Sequence, residues 1–424
     1  MLIFLEKVRK RTVFSIFEPI ITEPLELLYL KSVLDKMGIK NRMVDPLFKL
    51  KEPENEIPDL VILTGYNTAQ DEIKLRAAWW KKRNKETLVM VAGVHIQLNR
   101  TEFRQENIDL VFHSQDLTAF RDIVSIINKA EMPESIDGVD INIGEGKWSL
   151  GNTIPVEYPE KVNPSRKFFE KHRQKLRYVD KRDLALIKGG RGCPYGCSYC
   201  YCRSLNDNVY VKPDFREMFG EMKEIDADNF WIVDDVLLTD TRDALQFIKA
   251  SNETGFTGSI IAYLRADFIA GEKYLLPELY KAGLHEVIIG FETPDEKELL
   301  DYNKRMANGI YSDAISLLRE NNISLTALFM VHPDYDLKEF LRLWRFIGKN
   351  GLDLYTISIF TPLQGSDGFE EYNNKLITKD PGKFDFLHLV LPSKLPKPIF
   401  YILFYLSHAR LLLSRRIWKY IFAR

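Results

Sequence analysis

The chain has four cysteines in 424 residues, and all of them fall between Cys193 and Cys202. The segment reads Gly190-Arg-Gly-Cys193-Pro-Tyr-Gly-Cys197-Ser-Tyr-Cys200-Tyr-Cys202. Cys193, Cys197 and Cys200 make C-x3-C-x2-C, and thiolates are natural ligands of iron–sulfur clusters and of zinc. Gly190, Gly192 and Gly196 allow the tight backbone that brings three sulfurs together. A disulfide framework would spread its cysteines along the chain. A structural zinc site usually takes two separated cysteine pairs, whereas Cys200 and Cys202 are one residue apart and no second pair exists. A thioredoxin-like C-x-x-C needs no third cysteine at this spacing. A dinucleotide loop fails because Gly190-x-Gly192 lacks the next glycine at the required place.

The elements around the cluster decide what such a loop can do. Residues 1–130 read as alternating strands and helices: strands over Thr12–Phe17, Leu60–Thr64, Leu88–Val91 and Ile108–Phe112, helices over Leu25–Met37, Asp71–Arg83 and Leu117–Ala130. Apolar strands alternating with helices predict an open α/β domain with a parallel sheet covered on both faces. Residues 131–182 mix glycine and proline and read as a connector. From 183 to 370 the alternation restarts. Strands are expected over Leu184–Gly189, Asn229–Asp234, Gly258–Leu264, Glu286–Phe291, Ser324–Val331 and Leu354–Phe360. Helices are expected over Phe215–Ile225, Thr241–Ser251, Leu275–Ala282, Ile310–Asn321 and Leu337–Lys349. Six such units predict a partial (β/α)6 barrel, with chemistry at the carboxyl ends of the strands. The cysteines follow its first strand.

C-x3-C-x2-C at that place resembles the radical S-adenosylmethionine (SAM) superfamily. The resemblance implies that Cys193, Cys197 and Cys200 hold three irons of a [4Fe–4S] cluster. The fourth iron stays open for the amino and carboxylate groups of SAM, whose reductive cleavage yields a 5′-deoxyadenosyl radical. Cys202 is left without a role. Further segments resemble the family's strand ends. Tyr199 matches the aromatic beside the adenine, and Asp234-Asp235, Leu264-Arg265-Ala-Asp267 and Gly290-Phe-Glu292-Thr293 end the second, third and fourth strands. Tyr199, Asp235, Arg265 and Glu292 are therefore the expected SAM contacts. Acids at strand ends are also frequent helix caps, Asp234 among them. Met330-Val-His332-Pro-Asp334 departs from the family's glycine-rich fifth segment, and a lone His332 is more often structural. Thr361-Pro362-x-x-Gly365 resembles the sixth.

An open Rossmann-like domain ahead of such a barrel resembles the cobalamin (B12)-binding branch of the superfamily. The Asp-x-His-x-x-Gly cobalt-ligand motif is absent, since none of the seven histidines has Asp two residues before it. His95, in a loop after a strand, is the remaining cofactor-contact candidate. With cobalamin the implied reaction is methylation of an unactivated carbon. Without it, the implied reaction is a radical cyclisation, oxidation or coupling. A non-catalytic iron–sulfur or zinc protein on the same scaffold is the reading from another class.

Lys plus Arg is 59 and Asp plus Glu 60, so no basic field points to nucleic acid. Met1–Arg11 does not make a secretory signal, which favours a reducing cytoplasm. The resemblance to the radical SAM superfamily implies an anaerobic enzyme served by a reductant such as flavodoxin or ferredoxin. Region 371–424 is expected to end in a helical tail. From Leu391 onward it carries Lys394, Lys397, Arg410, Arg415, Arg416, Lys419 and Arg424 and no acid. Pro398–Ala409 is uncharged and rich in aromatics. Such a segment predicts a helix in a membrane interface, peripheral at the inner face, or else a helix packed on the chain's own core. At 100° per residue Arg415, Arg416 and Lys419 share a side. The basic aromatic tail points to a lipid or isoprenoid substrate, or to docking to a membrane enzyme; the expected substrate is a small or lipid-like molecule.

Overall fold

A computed structural model describes residues 1–10, 18–153, 162–304, 306 and 309–422. The strand expected over Thr12–Phe17 lies outside the described residues. The chain forms two compact units: Met1–Phe17 with Glu23–His172 and Asp380–Asp385, and Glu18–Thr22 with Arg173–Lys379 and Phe386–Arg424.

The first unit is built on seven strands: β1 (Leu2–Lys7), β2 (Lys40–Val44), β3 (Leu60–Thr64), β4 (Leu88–Ala92), β5 (Leu110–Phe112), β6 (Val139–Asn142) and β7 (Trp148–Ser149). Their order is β2-β1-β3-β4-β5-β6-β7, parallel through β5 and antiparallel after it. Alternate residues serve opposite faces. Ile3, Leu5, Leu60, Ile62 and Met90 pack with the helices Leu25–Lys36 and Leu117–Asn128. Phe4, Val61, Leu63, Val89 and Val91 pack with Ile73, Ala77 and Trp80 of the helix Gln70–Arg83. The sheet is thus buried on both sides, as its apolar runs predict. β1 was hidden from the sequence by Glu6 and Lys7, which are buried here.

The second unit holds six parallel strands in consecutive order: β8 (Leu184–Ile187), β9 (Asn229–Ile232), β10 (Ser259–Tyr263), β11 (Leu284–Glu292), β12 (Ser324–Val331) and β13 (Leu354–Ile359). All six expected strands are present. Helices fill the gaps, several of them started by aspartates: Asp240 caps Thr241–Thr254, and Asp336 with Glu339 makes a capping box on Leu337–Lys349. Inward residues Leu184, Ile261, Ile288 and Leu354 pack with Tyr178 and with Tyr420.

Tyr420 belongs to the last helix, Arg415–Phe422. Its neighbour Arg416 does not share the outward side expected for it. The guanidinium grips both oxygens of the fully buried Glu286 at 2.8 and 2.9 Å, and Asp180 at 2.7 Å. Glu286 lies 130 residues away, so no local pattern could reveal it. The tail is therefore anchored on the second unit's own core through one face of its last helix.

Candidate functional site

The loop after β8 is shaped by contacts that the sequence encodes only in part. Asp234, just past β9 and buried, accepts the backbone N–H groups of Gly189 and Gly190 at 2.9 and 2.6 Å. It is a loop clamp, and burial, which outweighs the nearby Lys188 charge, pushes its carboxyl up to about 6. Arg191 and Val211 exchange both backbone hydrogen bonds at 2.9 Å. Between them Gly192 sits at φ +73°, where a Cβ would stand 2.2 Å from the Val209 carbonyl oxygen. Only glycine meets both demands.

Cys193, Cys197, Cys200 and Cys202 are all free and half-buried. The Cys200 N–H closes a turn on the Cys197 carbonyl at 3.0 Å. Burial pushes the Cys193 thiol up to about 11. Burial also raises Cys197, against the opposing fields of Lys304 and Arg265. Cys200 is lowered, chiefly by a hydrogen bond from Cys202. The one Cys202 thiol proton has two acceptors in reach, the Cys200 sulfur and Asp235 at 3.2 Å, and the Cys202 backbone N–H points at the Cys200 sulfur at 3.5 Å. Three thiols thus remain for ligation on one loop, with two cations whose field favours thiolate. Among the described residues no three His, Cys, Asp or Glu side chains converge as ligands of a single ion. A cluster does not ask for that, because each thiolate takes a different iron. The donor set fits a three-cysteine iron–sulfur cluster.

Of the four expected SAM contacts, Tyr199 and Glu292 come together: the Tyr199 hydroxyl donates to Glu292 at 2.8 Å. Glu292, the last residue of β11, sits at φ +62°. The position is held by Lys304, whose Nζ donates to Glu292 at 2.8 Å and to the Gly290 carbonyl at 2.7 Å. A Cβ on Gly290 would meet that Nζ at 2.9 Å. Asp235 is engaged with Cys202. Arg265 pairs with Asp267 at 2.7 Å and lies 3.9 Å over the Tyr195 ring.

Sequence reasoning missed Lys304, which follows the helix Glu296–Asp301 rather than ending a strand. It also missed Glu298, a half-buried carboxylate that accepts from Tyr302 at 2.8 Å and Tyr335 at 2.7 Å. The Tyr302 ring stands 5.5 Å from Tyr199. His332 pairs with Asp334 at 3.4 Å and packs 4.9 Å from Phe360. In the first unit His95 has both ring nitrogens engaged, with Gln70 at 2.7 Å and Asn99 at 3.2 Å. Burial, with Lys74, pushes it down to about 4, so it is neutral at pH 7.

A loop of three thiols after the first strand of a six-stranded parallel sheet has known counterparts. Residues 187–347 match the radical SAM superfamily. The resemblance to that superfamily thus rests on the segment that carries the thiol loop and the strands after it. It is 23% identical to the hopanoid C-3 methylase of Methylococcus capsulatus over 393 residues, which is 89% of this chain and 74% of that protein. The radical SAM methyltransferase TsrM of Kitasatospora setae, solved with tryptophan and aza-SAM, superposes with a TM-score of 0.71 at 14% identity, over 96% of this chain and 88% of that one. OxsB, a cobalamin-dependent radical SAM enzyme solved with aqua-cobalamin and SAM, gives 0.65 at 16% identity over 88% of this chain. The chain spans 55% of the OxsB chain. At these identities the structural likeness is one of fold.

Proposed function

We propose that this radical SAM enzyme is a cobalamin-dependent methyltransferase acting on an unactivated carbon of a hydrophobic, lipid-like molecule. The observation that carries it is the pairing, in one chain, of the three-thiol loop at the carboxyl ends of β8–β13 with a doubly wound sheet of order β2-β1-β3-β4-β5. Sheets of that order bind cofactors at the switch point between the β1 and β3 ends. There Lys7 is tied to Glu26 and lies 4.3 Å over the ring of the exposed Tyr66. Val94, past β4, is exposed as well. The exposed Tyr66 and Val94 suit the flat face of a corrin held without a protein imidazole.

Cys193, Cys197 and Cys200 would hold the cluster; Tyr199, Asp235, Arg265 and Glu292 would contact SAM. Bound together, a reduced [4Fe–4S] cluster and SAM supply a 5′-deoxyadenosyl radical that abstracts hydrogen, and cobalamin supplies a methyl carrier. The chain's part is to hold and orient. Lys304 fixes the Glu292 carboxylate as an acceptor for a cationic amine, and the Lys304 and Arg265 charges stabilise thiolate. A one-electron donor such as flavodoxin or ferredoxin would serve the cluster. A lipid-like substrate would be met at a membrane face through residues 391–424, in keeping with the methylase of hopanoids among the relatives. Among the described residues no helix is long and apolar enough to cross a membrane.

A second reading, cobalamin-independent radical chemistry, is favoured by the full engagement of His95. One experiment separates the two. The protein is reconstituted anaerobically with iron, sulfide and hydroxocobalamin, desalted, and incubated with SAM and dithionite. Retained corrin absorbance together with SAM cleavage to 5′-deoxyadenosine is expected. Cleavage without retained corrin selects the second reading, and no cleavage overturns both.

A further inference from the structure

The helix Lys397–Leu406 is apolar all round. Phe400, Phe404 and Ser407 point inward and are buried. Ile399, Ile402, Tyr405 and Leu406 lie on the opposite side and are exposed, Ile402 by 59%. A helix apolar on both sides normally has something against each of them. The following turn exposes Leu412 and Leu413. On the last helix, where Arg416 and Tyr420 face inward, Trp418, Ile421 and Phe422 face outward, Phe422 with 79% exposure. Exposed large apolar side chains rarely gather in one continuous segment of a monomer without a partner.

Charge identifies the partner. Asp385 is the last acidic residue of the chain. The exposed polar groups among these apolar ones include Lys397, Arg410, Arg415 and Lys419. A second copy docked face to face would set these cations against their own kind. An anionic bilayer accepts both components, the apolar side chains below the headgroups and the cations among them. Ten helical residues reach about 15 Å, half of a hydrocarbon core, so the helix lies in the interface and does not cross it.

We propose that the outer face of Lys397–Phe422 is a docking surface for anionic lipid bilayers, anchored to the catalytic unit by the inward grip of Arg416 on Glu286. This deepens the membrane-face contact in the proposed function and rests on it only for its purpose. SAM cleavage in solution reports on the catalytic reading, and vesicle binding reports on the surface.

The test is flotation of the full chain with vesicles of phosphatidylcholine alone or with one quarter phosphatidylglycerol. Binding to the anionic vesicles, weakened by salt, is expected. Each exposed cation contributes about fivefold, so Arg415→Gln with Lys419→Gln should weaken binding roughly 25-fold. Leu413→Ser with Phe422→Ser should weaken it about a hundredfold through lost apolar burial. Circular dichroism and SAM cleavage should stay at wild-type level in both variants, which shows that they fold. No flotation of the wild type, equal binding to neutral vesicles, or a stable dimer in solution that the serine variant dissociates would each overturn the proposal.

Discussion

Arg416→Met should be among the most destabilising substitutions outside the thiol loop. Glu286 is fully buried and accepts two guanidinium hydrogen bonds, with the Thr326 hydroxyl at 2.9 Å as its other partner. Methionine keeps the length and apolar stem of Arg416 but leaves the carboxylate with Thr326 alone. Breaking a buried pair from one side costs about 3–5 kcal/mol. The variant's penalty should therefore be near 4 kcal/mol at pH 7. Urea unfolding followed by far-UV circular dichroism at that pH measures it. Adding Glu286→Gln removes the stranded charge and should recover about half of the loss. A penalty under about 1 kcal/mol at pH 7 would show that Glu286 is wet and the last helix undocked.

Gly192→Ala forces a side chain into left-handed backbone and against the Val209 carbonyl. Strain of about 1–3 kcal/mol in the loop should lower iron bound per chain after reconstitution at least roughly threefold, while the overall fold survives. Full iron loading would refute the shape argument. His95 titrates near 4 when folded, against about 6.5 in an unfolded chain, so the unfolded state binds more protons between those values. Stability should therefore be lost as pH falls from about 6.5 to about 4, by roughly 3 kcal/mol in all. His95→Gln should flatten that part of the stability–pH curve. An unchanged slope would mean that another group carries it.

The elements most legible in the sequence are those whose residues answer to water alone. Leu60–Thr64 and Ser324–Val331 are apolar runs between turn residues and stand where expected. The residues that misled are charges with distant partners. Glu6 and Lys7 follow the short apolar stretch of β1, for which no strand was expected, yet Arg76 and the Trp80 indole N–H satisfy Glu6 from across the fold. Arg416 looked like part of a basic face until Glu286 claimed it. In each case local pattern treats a charge as solvent-seeking, and a partner many residues away reverses that preference.

The same distinction explains why the cluster ligands were readable and the rest of the site was not. Three sulfurs that share one small cluster must come from a short stretch of chain, so their spacing is written locally. A site for an extended cofactor is assembled from separate strand ends, and each contributes one residue whose meaning depends on the others. Tyr199 and Glu292 meet at 2.8 Å because Lys304, on a third segment, fixes the carboxylate. Nothing near Lys304 in the sequence marks it. Its role exists only once Gly290 lacks a side chain and the backbone at Glu292 has turned left-handed. Groups of that kind cannot be found by looking for strand-end acids, as Asp234 shows by turning out to be a backbone clamp. They are found by asking which buried charge holds another in a conformation it would otherwise avoid.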